Sequence, residues 1–178
     1  MWGFFRRTPR LPAGRRPPLG PDERVLAWTT VAGTGADGVL VVTNHGVWLP
    51  GRPDRLGWHQ VHKATWSDDV LTITPAEVVA EHDGYAVVAD QPARALTLAD
   101  PGDVPHHVRA RVTRSVGYSL HHRLDGGGLR VVGRRVAGVD GLRWTVRYDA
   151  GVDTEAGGLR EFTAEVVAAA RASADQDQ

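Results

Sequence analysis

From Arg24 onward, short apolar runs rich in Val, Leu, Ile, Thr and Trp are separated by polar turn residues, and a helical period appears only after Asp103. Short β-branched and aromatic runs bounded by turns belong to strands, and a period near 3.6 to helices. Residues 25–29, 39–43 and 47–49 therefore read as strands, divided by a Gly-rich loop at Gly33 to Gly38 and a turn at Asn44-His45-Gly46. Residues 55–66 read as one long strand whose apolar positions Leu56, Trp58, Val61, Ala64 and Trp66 change face midway. A β-bulge near His59-Gln60 would produce that slip. Ser67-Asp68-Asp69 turns the chain into a strand at 70–74, which Pro75 ends; 77–82 and 85–89 form a hairpin about Asp83-Gly84, and 94–99 supplies the closing strand.

The helical pattern opens with Asp103 as N-cap and Pro105 in the first turn, followed by Val104, Val108, Val112 and Val116 at intervals of four. That stripe must lie on the strands before it, and Gly117 is the expected stop. Beyond it, 118–124, 129–136 and 142–148 read as a three-stranded meander, joined by a flexible Gly126-Gly127-Gly128 turn and by Asp140-Gly141. A last helix over 159–172 presents Leu159, Phe162, Val166 and Ala169 or Ala170 on one face, and 173–178 should fray. Three strands need such a helix to bury their apolar side.

The strand order, with Trp58 and Trp66 framing the fourth strand and Asp103-Val104-Pro105 opening the helix, resembles the pleckstrin-homology (PH)-like superfold of bacterial PH-like domains, over residues 24–116. The whole chain also resembles uncharacterised proteins of high-GC Gram-positive bacteria, which implies no activity. The expected architecture is α+β: a basic Pro-rich arm over 1–22, a seven-stranded partly open barrel capped by its C-terminal helix over 23–117, and a small βββα unit with a frayed tail over 118–178. Eukaryotic relatives of the superfold hold phosphoinositides with basic residues in the first strand and the loop after it. Here the loop from Thr30 to Gly38 has no Lys or Arg, so lipid binding does not carry over. The superfold also serves in peptide and protein docking, by analogy of fold alone.

With 178 residues the chain can bury a core without staples, and the absence of Cys removes disulfides, thiolate metal sites and cysteine nucleophiles. No apolar run approaches the roughly 20 residues of a membrane span. Met1-Trp2-Gly3-Phe4-Phe5 precedes its charges, the reverse of a signal peptide, so a cytoplasmic protein is expected, with the arm allowing membrane-peripheral placement. Twenty Arg against the single Lys63 reflect a GC-rich genome before any function.

Net charge is zero, yet its distribution is uneven: +5 over 1–20, −7 over 66–103, +6 over 104–149 and −4 over 150–178. If the strands at 129–136 and 142–148 pair about Asp140-Gly141, then Arg130, Arg134, Arg143 and Arg147 share one solvent face, opposite Trp144, Val146 and Tyr148. Those four are the candidate anion- or partner-binding residues; the plain alternative is a solvated face neutralised by nearby acids. No aromatic residue interleaves with them, which disfavours stacking of single-stranded bases. His59, His62 and His107 are the places to look for a metal, although their spacing turns neighbours apart. Ser67, Ser115, Ser119 and Ser173 lack a nucleophile motif, and no phosphate loop or dinucleotide fingerprint occurs, so no cofactor and no catalytic residue is assigned. Trp28, Trp48, Trp58 and Trp66 read as core and rim. The leading expectation is a non-catalytic module that docks a protein segment on an exposed strand edge or beside the Asp103 helix, with homo-oligomerisation through the opposed charges as one route. Binding of nucleic acid or anionic membrane through the arm and the arginines comes second, and an enzyme with an unrecognised site third.

Overall fold

The computed structural model describes residues 10–35 and 38–176; the aromatic tip and first arginines of the arm lie outside them. The chain is α+β, with a curled mixed sheet of half-barrel form and two α-helices among the described residues. It divides into two compact units: unit 1 takes the residues up to Pro75 together with Pro92–Thr113, and unit 2 takes Ala76–Gln91 together with Arg114 onward.

In unit 1, strands β1 (Val25–Thr30), β2 (Val39–Thr43), β3 (Gly46–Trp48) and β4 (Leu56–Gly57) form an antiparallel sheet in that order. Strand β5 (Val61–Ser67) pairs with the first part of β6 (Val70–His82). After β7 (Tyr85–Asp90), strand β8 (Arg94–Thr97) returns to the other side of β6. Leu40, Val42, Val47, Leu56, Trp58, Val61, Leu71, Ile73, Leu96 and Leu98 fill the core, and helix α1 (Val104–Ser115) sets Val104 and Val108 into it. Val112 packs at its margin as the spacing predicts, whereas Val116 belongs to the next strand.

Two strand boundaries differ from the periodicity. Residues 55–66 are not one bulged strand: a 3-10 turn, Trp58–Gln60, separates β4 from β5. The Gln60 side chain accepts from the Gly57 N–H at 2.9 Å, and Trp58 turns inward to donate its indole N–H to the Thr43 carbonyl at 3.1 Å. The apolar pattern slips because a buried Trp and a side-chain cap hold a turn there. Nor does Pro75 end its strand. It sits where β6 changes partner, between the Val61↔Pro75 pair with β5 and the Ala76↔Asp90 pair with β7. A residue lacking an N–H is tolerated where the ladder is handed over. The β5–β6 turn uses Asp68 and Asp69 at φ 48° and 64°, the left-handed pair that a tight two-residue hairpin requires.

In unit 2, the second part of β6 and β7 stand beside β9 (Val116–Leu124), β10 (Gly127–Arg135) and β11 (Leu142–Tyr148), in the order β6-β7-β11-β10-β9. The meander is present, but its sheet is larger than a three-stranded one, because β11 pairs in parallel with β7 through Thr145↔Ala86 and Val146↔Val87. Helix α2 (Leu159–Gln176) covers one face, packing Val167, Ala170 and Ala174 on Tyr85, Leu129, Val131, Trp144 and Val146. Its buried stripe runs through Thr163 and Val167, one position beyond the expected Phe162 and Val166, which lie partly buried at its margin. A threonine can occupy that stripe because the Tyr148 hydroxyl bonds its Oγ1 at 2.7 Å. The helix also runs on through Ala174, which is buried, instead of fraying at residue 173.

Candidate binding surfaces

The pairing of β10 with β11 sets Arg130 opposite Arg147, Val132 opposite Thr145 and Arg134 opposite Arg143. Alternation along both strands then places all four arginines on the face away from α2, since Leu129, Val131, Trp144 and Val146 are buried under the helix. Like charges directly across a ladder repel, so each pair needs relief. Arg147 has it in Asp90, with which it forms an ion pair. Arg134 is half-buried and donates to the Ser115 hydroxyl at 2.7 Å, a neutral partner. Burial, with the neighbouring Arg147 charge adding to it, lowers the pKa of the Arg134 guanidinium below the usual arginine value. Arg130 and Arg143 are exposed, and among the described residues no ion pair engages either of them.

The register extends this face in a way the four arginines alone do not suggest. Arg130 also stands opposite His121 on β9, so His121, Arg130 and Arg147 form one row across three strands. In the next row Arg123 faces Gly128. The missing side chain at Gly128 lets His121 reach across β10 to Asp149, with Nε2 3.1 Å from Oδ2. A Cβ at Gly128 would lie 2.5 Å from the His121 Nε2 and 2.8 Å from the His122 carbonyl oxygen. Gly127 and Gly128 are thus close-packed strand positions, while Gly126 alone, at φ 80°, makes the turn that sequence assigned to all three. Sequence reading passed over His121 because its partner is 28 residues away; the signal was the small residue between two polar strand positions.

A second surface lies in unit 1. Among the described strands, β5 pairs only with β6, so its other edge is open. Beside that edge, Ala64, Trp66 and Leu71 face Pro105, Val108 and Arg109 of α1 across a groove of about 570 Å³. Trp66 is 39% exposed, on a strand that also carries Lys63. By contrast Trp58 is buried, and Trp48 is tied by its indole N–H to Glu23 at 3.1 Å.

Glu23 itself is the fastening point of unit 1. Its buried carboxylate accepts from the Gly20 N–H at 2.9 Å, the Thr43 hydroxyl at 2.7 Å, the Trp48 indole, and Arg55 at 2.6 Å. Burial pushes its pKa up, but the bonds from Gly20, Thr43 and Trp48 and the Arg55 charge outweigh burial and hold it below the ordinary carboxylate value. His107 on α1 has its pKa lowered by burial first and by the adjacent His106 second. Among the described residues no three His, Asp or Glu side chains gather where a metal ion could be held, and no helix is long and apolar enough to cross a membrane. No protein-family model, curated protein or solved structure matches this chain, so its surfaces are read from their own geometry.

Proposed function

We propose that the chain is a non-catalytic protein-docking module whose site is the open edge of β5 beside α1. The observation that carries this reading is the conjunction of a strand edge that no other described strand pairs, a half-exposed Trp66 and an apolar groove, all within one compact unit. An exposed edge offers unpaired N–H and C=O groups, which an extended partner segment satisfies by strand addition while alternate side chains seek pockets. Lys63 on the same strand works against indiscriminate edge-to-edge pairing. Arg109 and His106 at the groove wall favour a segment whose apolar anchor is followed by a carboxylate. The PH-like resemblance points the same way by analogy of fold.

Panning a library of random 12-residue peptides displayed on phage against the whole chain tests this. Enriched sequences should carry an aromatic or aliphatic anchor near an acidic residue. Trp66→Ala should weaken the selected peptides at least tenfold, because a half-exposed Trp is the type of anchor that dominates such interfaces. Arg109→Glu should weaken them less. Peptides that bind Trp66→Ala as well as the wild type would remove the groove from the account.

A further inference from the structure

Independently of the groove, the face of unit 2 opposite α2 holds more positive charge than its fold uses. Five guanidinium groups lie on that face: Arg123, Arg130, Arg134, Arg143 and Arg147. One carboxylate, Asp90, pairs with a guanidinium, that of Arg147; Asp149 pairs with His121, and Glu81 stands on the same face at its far edge, on β6 two strands from β11. Arg130 stands at the centre, between His121 and Arg147, with neither Asp90 nor Asp149 bonded to it. Neighbouring strands bring cross-strand Cβ atoms to about 5 Å, and four residues along a strand span about 13 Å. Arg130 and Arg143 are therefore two exposed cations on one face, flanked by Arg123, at a spacing an extended polyanion can bridge.

We infer that this arginine face binds the phosphodiester backbone of a double-stranded nucleic acid. The chemistry of the face selects that occupant. Among the described residues it carries no Tyr, Trp or Phe on which unpaired bases could stack: Tyr118, Trp144 and Tyr148 belong to the apolar cluster on the opposite side, and the one ring on this face, His121, is held by Asp149. The exposed apolar residues of the face do not interleave with the arginines: Val132 beside them is half-buried, and Val78 shares the face only at its far edge on β6, two strands from Arg147. That counts against insertion into a lipid surface. Arginines on a sheet face can contact phosphates without reading base edges, so binding is independent of sequence and depends steeply on salt.

The test uses the full chain and a 20-base-pair DNA duplex of mixed sequence, with fluorescence anisotropy read from 50 to 300 mM NaCl. Wild type should bind the duplex better than a single strand of equal length or vesicles containing phosphatidylserine. In Arg130→Ala/Arg143→Ala, the slope of log K against log salt should flatten by about 2, one for each lost phosphate contact. Both residues are exposed and, among the described residues, without ion pairs, so this variant should melt no lower than wild type, and its far-UV circular dichroism should be unchanged. An unaltered slope in the folded variant would overturn the inference and assign any binding to the basic arm. Preference for the vesicles or the single strand would equally overturn it, as would no duplex binding at 50 mM salt. Trp66→Ala should leave duplex binding intact, which separates this face from the docking groove.

Discussion

Glu23 in unit 1 and Arg134 in unit 2 are both ionisable groups withdrawn from water, yet they are treated in opposite ways. Glu23 accepts four hydrogen bonds, one of them from a guanidinium, whereas Arg134 has a serine hydroxyl on one side and a second arginine nearby. A buried charge that is fully partnered is a fastening, and removing it strands every partner. A half-buried charge with a neutral partner adds little to the fold. The contrast separates charges that hold the protein together from charges left over for a ligand.

The sharpest way to break that comparison is Glu23→Ala, which strands Thr43, the Trp48 indole and Arg55 together and should cost about 3 kcal/mol; urea unfolding followed by Trp fluorescence measures it. The same bonds make stability depend on pH. Because the folded pKa of Glu23 lies below its unfolded value, its stabilisation is complete above the ordinary carboxylate range and drains away as pH falls through the folded value. Glu23→Gln should therefore lose less stability than wild type between pH 5 and about pH 3. His107 acts in the same direction at higher pH. Its neutral form is favoured in the fold, so stability falls as pH drops below the ordinary imidazole value.

Next in size is Gly128→Ala. The added Cβ meets the His121 ring and the His122 carbonyl oxygen, so the variant should lose about 1–3 kcal/mol through overpacking. The His121 imidazole resonances should at the same time lose their sensitivity to Asp149. Thr163→Val should cost about 1 kcal/mol, since the Tyr148 hydroxyl loses its partner under α2. The smallest effect completes the contrast with Glu23: Arg134→Leu should leave stability unchanged or raise it by up to about 1 kcal/mol, because like-charge repulsion and desolvation are relieved together. A loss comparable to that of Glu23→Ala would show that Arg134 is a fastening after all.

Local patterns in the sequence carried much of this molecule, and long-range pairings carried the rest. The strand at 39–43 follows from its own β-branched run and both helices from their periodicity, and the shared face of the four arginines follows from alternation about Asp140-Gly141. What remained hidden depends on partners distant in the chain. Pro75 lies within a strand because β6 exchanges partners there, which no window around the proline contains. The parallel β7–β11 pairing joins Ala86 to Thr145 across a long stretch of chain, so the meander gains neighbours that its own sequence does not announce. Thr163 takes a buried helix position that its polarity argues against, because Tyr148 satisfies it. The His121–Asp149 bond needs the bare Gly128 between two strands, a condition visible only once the register is known. The groove, likewise, lies where β5 has no second partner among the described strands, and the exposure of Trp66 cannot be read from a pattern that assigns the tryptophans to core and rim together.

Strand addition at β5 is tested most directly by amide hydrogen exchange of the full chain, with and without a peptide selected on it. The account predicts slowed exchange at alternate amides within Val61–Ser67, those pointing away from β6, together with protection at the α1 residues that line the groove. Protection confined to other strands, with the β5 amides exchanging as in the free protein, would contradict it.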